Sequence, residues 1–300
     1  TIHQVLEAMK LLPFRILFFA CYSLLSPCCL FALTPFTADK VEIIDENGTS
    51  IVYLLGNVVI EQESTKITCN EARLNESADN VLLKDSVVIV AADGEIRSDD
   101  ALYRFDTKMG YLKSSVTMTT QNETFSSDSL TYDGKRRLVR MNRDVRIEDK
   151  KNKMIAVGGE GWYDLKVEQG CLKEHPRLEI SREKKTPMYV TAREFFLMNR
   201  ENRFNGYDQV TGTIDSITIL CDTLQYDLIS DKGWLVKPIV KEKDNLLKGD
   251  SGEFALKQKQ KEIDYFRVTQ GRADYLTKEG SRNVVEGMTI TILFKDSQAK

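Results

Sequence analysis

The chain has 300 residues, 42% of them apolar and 29% charged, with a net charge of −3. That balance belongs to a folded chain rather than a disordered one. Lys and Arg are scattered among Asp and Glu, which excludes a nucleic-acid surface, since that needs a clustered basic face. The one compact basic run, Lys135-Arg136-Arg137, falls in a predicted turn and reads as solvated.

Residues 1–38 differ in composition from the rest of the chain. Lys10 and Arg15 precede an almost uncharged run from Ile16 to Leu33, with Leu30-Phe31-Ala32 as a cleavage site. This pattern reads as a secretory signal peptide starting at Met9. About 18 apolar residues also suffice to cross a bilayer, so an uncleaved anchor is the competing reading. Leu25-Ser26-Pro27-Cys28 resembles a lipoprotein signal, but Pro27 is a poor neighbour for a modified cysteine. Three of the six cysteines lie in this leader; Cys69, Cys171 and Cys221 remain, at no metal-ligand spacing.

From Asp39 onward the chain has a period. Ala72, Ala101, Leu130, Gly161, Glu194, Leu224 and Gly252 occupy equivalent positions, 28 to 33 residues apart. Two residues later stand Leu74, Tyr103, Tyr132, Tyr163, Phe196, Tyr226 and Phe254; five residues earlier stand Ile67, Ile96, Phe125, Ala156, Tyr189, Ile219 and Leu247. Repeats of this length mean stacked supersecondary units. Side chains alternate along a strand, so Ile96 and Ser98 share one face, as do Ala101 and Tyr103. The odd step between the two pairs requires a kink, and Asn70, Asp99, Asp128, Asp222 and Asp250 recur at it. Short polar side chains that bond the local backbone suit such a corner. A carboxylate pair like Asp99-Asp100 is also compatible with acid catalysis or Ca²⁺, but recurrence in a ladder favours structure.

Each unit closes with apolar alternation, as in Val87-Val88-Ile89-Val90, Val116-Thr117-Met118, Val145-Arg146-Ile147 and Leu178-Glu179-Ile180. Polar turns such as Asp133-Gly134-Lys135-Arg136 and Ser230-Asp231-Lys232-Gly233 separate the halves, giving two to four short strands per unit. The spacing predicts an all-β chain. Phe195-Phe196-Leu197-Met198, the one run with helical character, lies on the repeat register and is read as strand. Cys69 and Cys221 share a place where other units carry Ser or Thr, as small semi-buried residues. No catalytic constellation, nucleotide loop or metal spacing is present, and no cofactor is expected.

Gly56-Asn57-Val58-Val59-Ile60-Glu61-Gln62, followed by Lys66-Ile67-Thr68-Cys69-Asn70-Glu71-Ala72, resembles the opening of the OstA-like family, and the Ile-x-Ser-Asp-x-Ala-x-Tyr form at Ile96–Tyr103 is similar to its repeat. The resemblance is good over Val41–Asp149 and looser over Lys150–Phe294, where Gly158-Gly159 replace the corner acid and Pro187 and Pro238 interrupt the pattern. It implies an extended, twisted β-jellyroll of repeated short antiparallel strands in two facing sheets. This would be one domain over 39–300 or two halves, 39–150 and 151–300. It further implies a periplasmic protein of lipopolysaccharide transport that carries acyl chains in an apolar slot. Its partners would be lipopolysaccharide, the inner- and outer-membrane components of that transport, and further copies joined end to end by strand pairing.

The residues expected to face the slot are Ile67, Leu74, Ile96, Tyr103, Val116, Met118, Phe125, Tyr132, Val145 and Ile147; the plainer reading is that each fills a packed core. Exposed edges invite strand addition. The first strand, with Val58, Val59 and Ile60, and the last, with Thr289, Ile290, Thr291 and Ile292, are the expected partner edges, unless the chain covers them itself. The alternative to lipid transport is a non-enzymatic envelope scaffold that pairs through its edges and holds no lipid.

Overall fold

The computed structural model describes residues 35–46, 48–75, 79–182, 185–257, 262–277, 280–295 and 298–299. The leader read over residues 1–38 lies, up to residue 34, outside them.

The described chain is all-β apart from one 3-10 turn, Asn199–Glu201. It begins with β1 (Phe36–Thr37), β2 (Lys40–Glu46), β3 (Thr49–Gln62), β4 (Thr65–Asn75) and β5 (Asn80–Ala91). Next come β6 (Gly94–Arg104), β7 (Met109–Thr119), β8 (Glu123–Asp133), β9 (Leu138–Asp149) and β10 (Met154–Asp164). From β3 to β10 each strand pairs antiparallel with the next. These strands are longer than the sequence pattern implies, because the chain passes through the corner without leaving the ladder.

A bulge makes this possible. In β5 and β6, Lys84 faces Asp100 and Val87 faces Ser98, so Asp85 and Ser86 together oppose the single residue Asp99. Asp85 and Ser86 both lie in the left-handed region, at φ 60° and 57°. The device recurs on every second strand, at Gly56-Asn57, Ser114-Ser115, Arg143-Asp144, Glu174-His175 and Asp208-Gln209. Two residues against one, a single extra residue, bend the strand and raise its twist. The kink thus belongs to the facing strand, and the recurrent acids, exposed Asp99 and Asp128 among them, are the single residues opposite it.

The strand beside the bulge satisfies its own loosened backbone. Cys69 Sγ donates to the Glu71 carbonyl (3.1 Å), Ser98 Oγ to that of Asp100 (3.1 Å) and Ser127 Oγ to that of Ser129 (2.9 Å). Buried carbonyls need such partners. This is why Cys, Ser and Thr interchange at one repeat position. Polar pairs cross the corner too, Asn70 to Asp85 at 2.8 Å and Lys237 to Asp222 at 2.8 Å, each pair 15 residues apart.

Beyond β10 most strands break into half-strands at the corner: β11 (Gln169–Lys173), β12 (Arg177–Ile180), β13 (Met188–Thr191) and β14 (Glu194–Met198). After the long β15 (Arg203–Ile214) and β16 (Ile217–Asp227) come β17 (Lys232–Val236), β18 (Ile239–Glu242), β19 (Asn245–Lys248) and β20 (Ser251–Leu256). The chain ends with β21 (Ile263–Leu276), β22 (Arg282–Lys295) and β23 (Gln298–Ala299). Pro176 and Pro238 follow left-handed His175 and Lys237, and a proline cannot donate to the ladder. The fifth unit slips by one residue: Val190, Phe195 and Leu197 point inward, whereas Tyr189, Glu194 and Phe196 do not. Its corner holds Arg193, whose amide reaches the carbonyls of Tyr207 and Asp208 and whose guanidinium pairs with Asp208 at 3.2 Å. Phe195–Met198 is strand, as the repeat register indicates.

The bend folds one continuous ladder into two facing layers over a single apolar cluster that runs from Val52 to Phe294. Phe125 in one layer meets Tyr163 in the other at 5.0 Å between ring centroids. The β5–β6 turn depends on Gly94, at φ +139°, where a Cβ would overlap the Thr119 carbonyl oxygen. Gly94→Ala should therefore cost roughly 3 kcal/mol in urea unfolding, whereas Gly48→Ala, at φ +80° with open space around it, should cost about 1 kcal/mol.

Candidate functional site

All ten residues expected to face a slot point inward and are at most 3% exposed. They form one packed core, each large side chain stabilising it by about 1.5–3 kcal/mol. Across this part of the molecule the two layers are closed on each other.

The rim opposite the corners, where the hairpin turns of both layers meet, is fastened by polar contacts. Lys108 binds Glu63 at 2.7 Å. Asp93 accepts from the Tyr132 hydroxyl at 2.8 Å and from Arg137 Nε at 2.7 Å. The Tyr163 hydroxyl donates to Glu123 at 3.2 Å, while that of Tyr226 donates to Asp231 at 3.3 Å within its own hairpin. Arg137, from the basic run read as a solvated turn, thus fastens the rim through a carboxylate that is only 7% exposed. Burial, then the neighbouring carboxylates, pushes the Tyr132, Tyr163 and Tyr226 hydroxyls well above their ordinary pKa of 10.0.

A row of aromatic rings forms in the C-terminal half, and of the repeat's aromatic positions only Tyr226 and Phe254 belong to it. Phe195, Phe204, Tyr226, Phe254, Phe266 and Phe294 follow one another at centroid separations of 6.0, 5.4, 5.9, 5.2 and 5.9 Å. Tyr103 instead packs against Phe105 at 5.2 Å. The row ends at a cleft of about 470 Å³ between the layers, lined by Ile217, Val240, Leu247, Ala273, Val285, Ile290, Ile292 and Phe294, with Glu242, Asn245, Asp274 and Thr277 at the rim. Here the apolar interior is open. Alternation in the last strand marks Ile290, Ile292 and Phe294, but Val240, Ala273 and Val285 reach the cleft through pairings that no local pattern announces.

The two ends differ. Val58, Val59 and Ile60 are not at an edge: β3 is covered by the chain's own start, with Val59 opposite Thr37, Ile60 opposite Phe36, and Thr49 to Leu55 along β2. The corner device explains why, since the Asp39 amide bonds the Gly56 carbonyl at 2.9 Å and the Asp39 carboxylate accepts from Asn57 at 2.9 Å. Among the described residues the strand left with one side unpaired is instead β2, with Ile43 70% exposed. At the other end Thr289, Ile290, Thr291 and Ile292 do lie on an outer strand. β22 pairs with β21 on one side, and among the described residues only Phe294 and Lys295 meet β23 on the other.

The site and the fold together define a class, a corner-bulged β-jellyroll with a closed apolar middle and, among the described residues, outer strands paired along most of their length on one side only. Residues 35–183, just under half of the chain, match the family described as OstA-like protein. The same bulges and inward rows continue beyond it to β22. Comparison with curated protein sequences finds no match. Seventeen chains of solved structure match. Among them is LptH from Pseudomonas aeruginosa, described as the LptA homologous periplasmic component of the conserved lipopolysaccharide transport device. It is 16% identical, with 47% of this chain and 81% of that one covered and a TM-score of 0.23.

Two outcomes test the rim. Asp93→Ala leaves the Tyr132 hydroxyl buried without an acceptor and should cost about 2–3 kcal/mol in chemical unfolding, with Asp93→Asn costing about half that. The three raised tyrosines remain protonated in the fold while unfolded tyrosine ionises at 10.0. Their contribution is complete below pH 10 and is lost as the pH rises beyond it. Alkaline melts followed by tyrosinate absorbance should show ionisation of these groups arriving together with unfolding.

Proposed function

We propose that the chain is a periplasmic carrier of lipopolysaccharide, holding acyl chains in its apolar interior and bridging the two membranes by strand addition at its ends. The observation that carries this reading is the cleft beside β22, where the apolar interior meets solvent next to a free strand edge. The match of residues 35–183 to the OstA-like family points the same way. A lipid with several acyl chains cannot cross water unaided, because each exposed methylene costs about 0.8 kcal/mol. The cleft offers one entry to a dry interior, and parting the layers beyond it would expose the aromatic row and then the ten inward residues from Ile147 back to Ile67. The leader of residues 1–38 would deliver the protein across the inner membrane. The inner- and outer-membrane transport components, and further copies of the chain, would pair with β2 and β22.

Protein purified from envelopes should carry lipopolysaccharide, detected by mass spectrometry of extracted lipid. Ile290→Asp, which places a carboxylate in a half-buried wall of the cleft, should reduce the bound lipid by about tenfold or more without changing the β-sheet circular dichroism. Undiminished loading in this variant would sink the assignment of the cleft. Val284→Lys combined with Met288→Lys puts charge on exposed positions of β22 and should abolish concentration-dependent association in sedimentation, with lipid loading retained.

A further inference from the structure

The outer face of the sheet carries a feature that lipid carriage does not use. One register line crosses most of the molecule on that face: Tyr53, Arg73, Leu82, Leu102, Tyr111, Thr131, Arg140, Trp162, Cys171, Phe196, Asn205, Gln225 and Trp234 are paired in sequence from β3 to β17. Tyr111, Trp162 and Trp234 on this line are 38%, 36% and 41% exposed. A large aromatic left in water on a sheet face gives up burial that it could have had.

At the middle of the line is a shallow depression of about 240 Å³ beside Trp162. Trp162 and Phe196 lean together over Cys171, with ring centroids 6.2 Å apart, and leave that residue 4% exposed. Cys171 Sγ donates to Glu194 at 3.0 Å. This forms an inert floor. Around it stand Thr131, Arg140, Asn142 and Glu160. The side chains of Arg140, Asn142 and Glu160 are exposed, and none of the four has a side-chain hydrogen bond or ion pair to another described residue. Lys173 is already directed to Glu194 at 3.8 Å.

We infer that this depression is a binding site for a pyranose ring of a glycan chain. An indole beside a guanidinium, an amide, a hydroxyl and a carboxylate offers what a sugar needs. One apolar surface takes the C–H face of the ring, and both donors and acceptors are there for vicinal hydroxyls. A phosphate or other compact anion fits poorly, because Glu160 faces it and Lys173 is engaged. The volume lies below that of drug-sized sites, roughly 300 Å³ upward, and accommodates one ring. Tyr111 and Trp234 lie three and five strands away along the line, roughly 14 and 24 Å at the usual strand spacing. They provide further stacking stations, so the ligand is a chain rather than a single sugar. The site neither requires nor touches the lipid cleft and does not depend on the carrier reading.

The test uses the full chain with Trp234→Phe, which leaves Trp162 as the only indole. Three lipid-free probes are titrated by Trp fluorescence and calorimetry: oligosaccharide released from lipopolysaccharide, glycan strands released from peptidoglycan, and a linear β-glucan hexamer. At least one should bind and perturb Trp162, and which one does so identifies the natural source. Binding should weaken by about tenfold or more in Trp162→Ala, the loss expected for one stacked ring. Arg140→Ala and Glu160→Gln, which point to solvent and leave the floor intact, should also weaken it. Silence from all three probes, or binding unaffected in these variants, would each overturn the inference.

Discussion

Everything in this fold depends on the chain's turning a corner in mid-strand. A flat antiparallel ladder built from these sequences would bury one face only. The left-handed pair on every second strand bends the ladder back on itself, so that the inward side chains before and after the corner share one core. The cost is backbone strain, since each non-glycine residue in that region is disfavoured by about 1–2 kcal/mol. The sequence limits this cost by using residues that tolerate it, as in Gly56-Asn57 and Asp85-Ser86, and by placing a Cys or Ser donor on the neighbouring strand. The rim opposite is fastened by contacts made across 39 to 45 residues of sequence, such as Tyr132 to Asp93 and Lys108 to Glu63.

These two sides are different in kind. The corner is covalent and local, and opening it would require the ladder to break. The rim is held by single hydrogen bonds and ion pairs, worth about 0.5–1.5 kcal/mol each where neutral and partly exposed. The layers are therefore hinged at the corner and separable at the rim. A packed interior with such a rim is compatible with the proposed entry of cargo between the layers, which is why the full burial of Ile96 or Phe125 does not argue against the proposed carriage. Separation would strip side chains of their contacts, however, and only a guest that replaces apolar surface with apolar surface could offset that.

Much of this was legible in the sequence because the unit repeats. The period, the inward parity and the need for a kink at the odd step all follow from residues such as Ile96, Ser98, Ala101 and Tyr103. The identity of the kinked strand was not legible. The left-handed residues Asp85-Ser86 and Arg143-Asp144 are chemically varied, while the conspicuous acids opposite them keep ordinary strand geometry. The slip at Phe195 was hidden because Phe195-Phe196-Leu197 is apolar at both parities, and only the pairing with Gly206, Asn205 and Phe204 decides which ring points inward. The β2–β3 hairpin is announced by Asn47-Gly48, but the closure of β1 over the far end of β3, Phe36 opposite Ile60, leaves no local trace.

The ends of the molecule carry unequal protection, and this asymmetry bears on assembly. On β2 the apolar Val41, Ile43 and Ile44 are interspersed with Lys40, Glu42, Asp45 and Glu46, the kind of charge that keeps an edge from pairing indiscriminately. Between Arg282 and Lys295 β22 has a single charged residue, Glu286, and that carboxylate is turned to Arg272 of β21 at 3.0 Å. The C-terminal edge is thus the permissive one and the N-terminal edge the selective one. Joining unlike edges gives a heterologous contact, which does not close on itself but extends. In the end-to-end array proposed above, every copy would present an open apolar cleft to the charged β2 of the next.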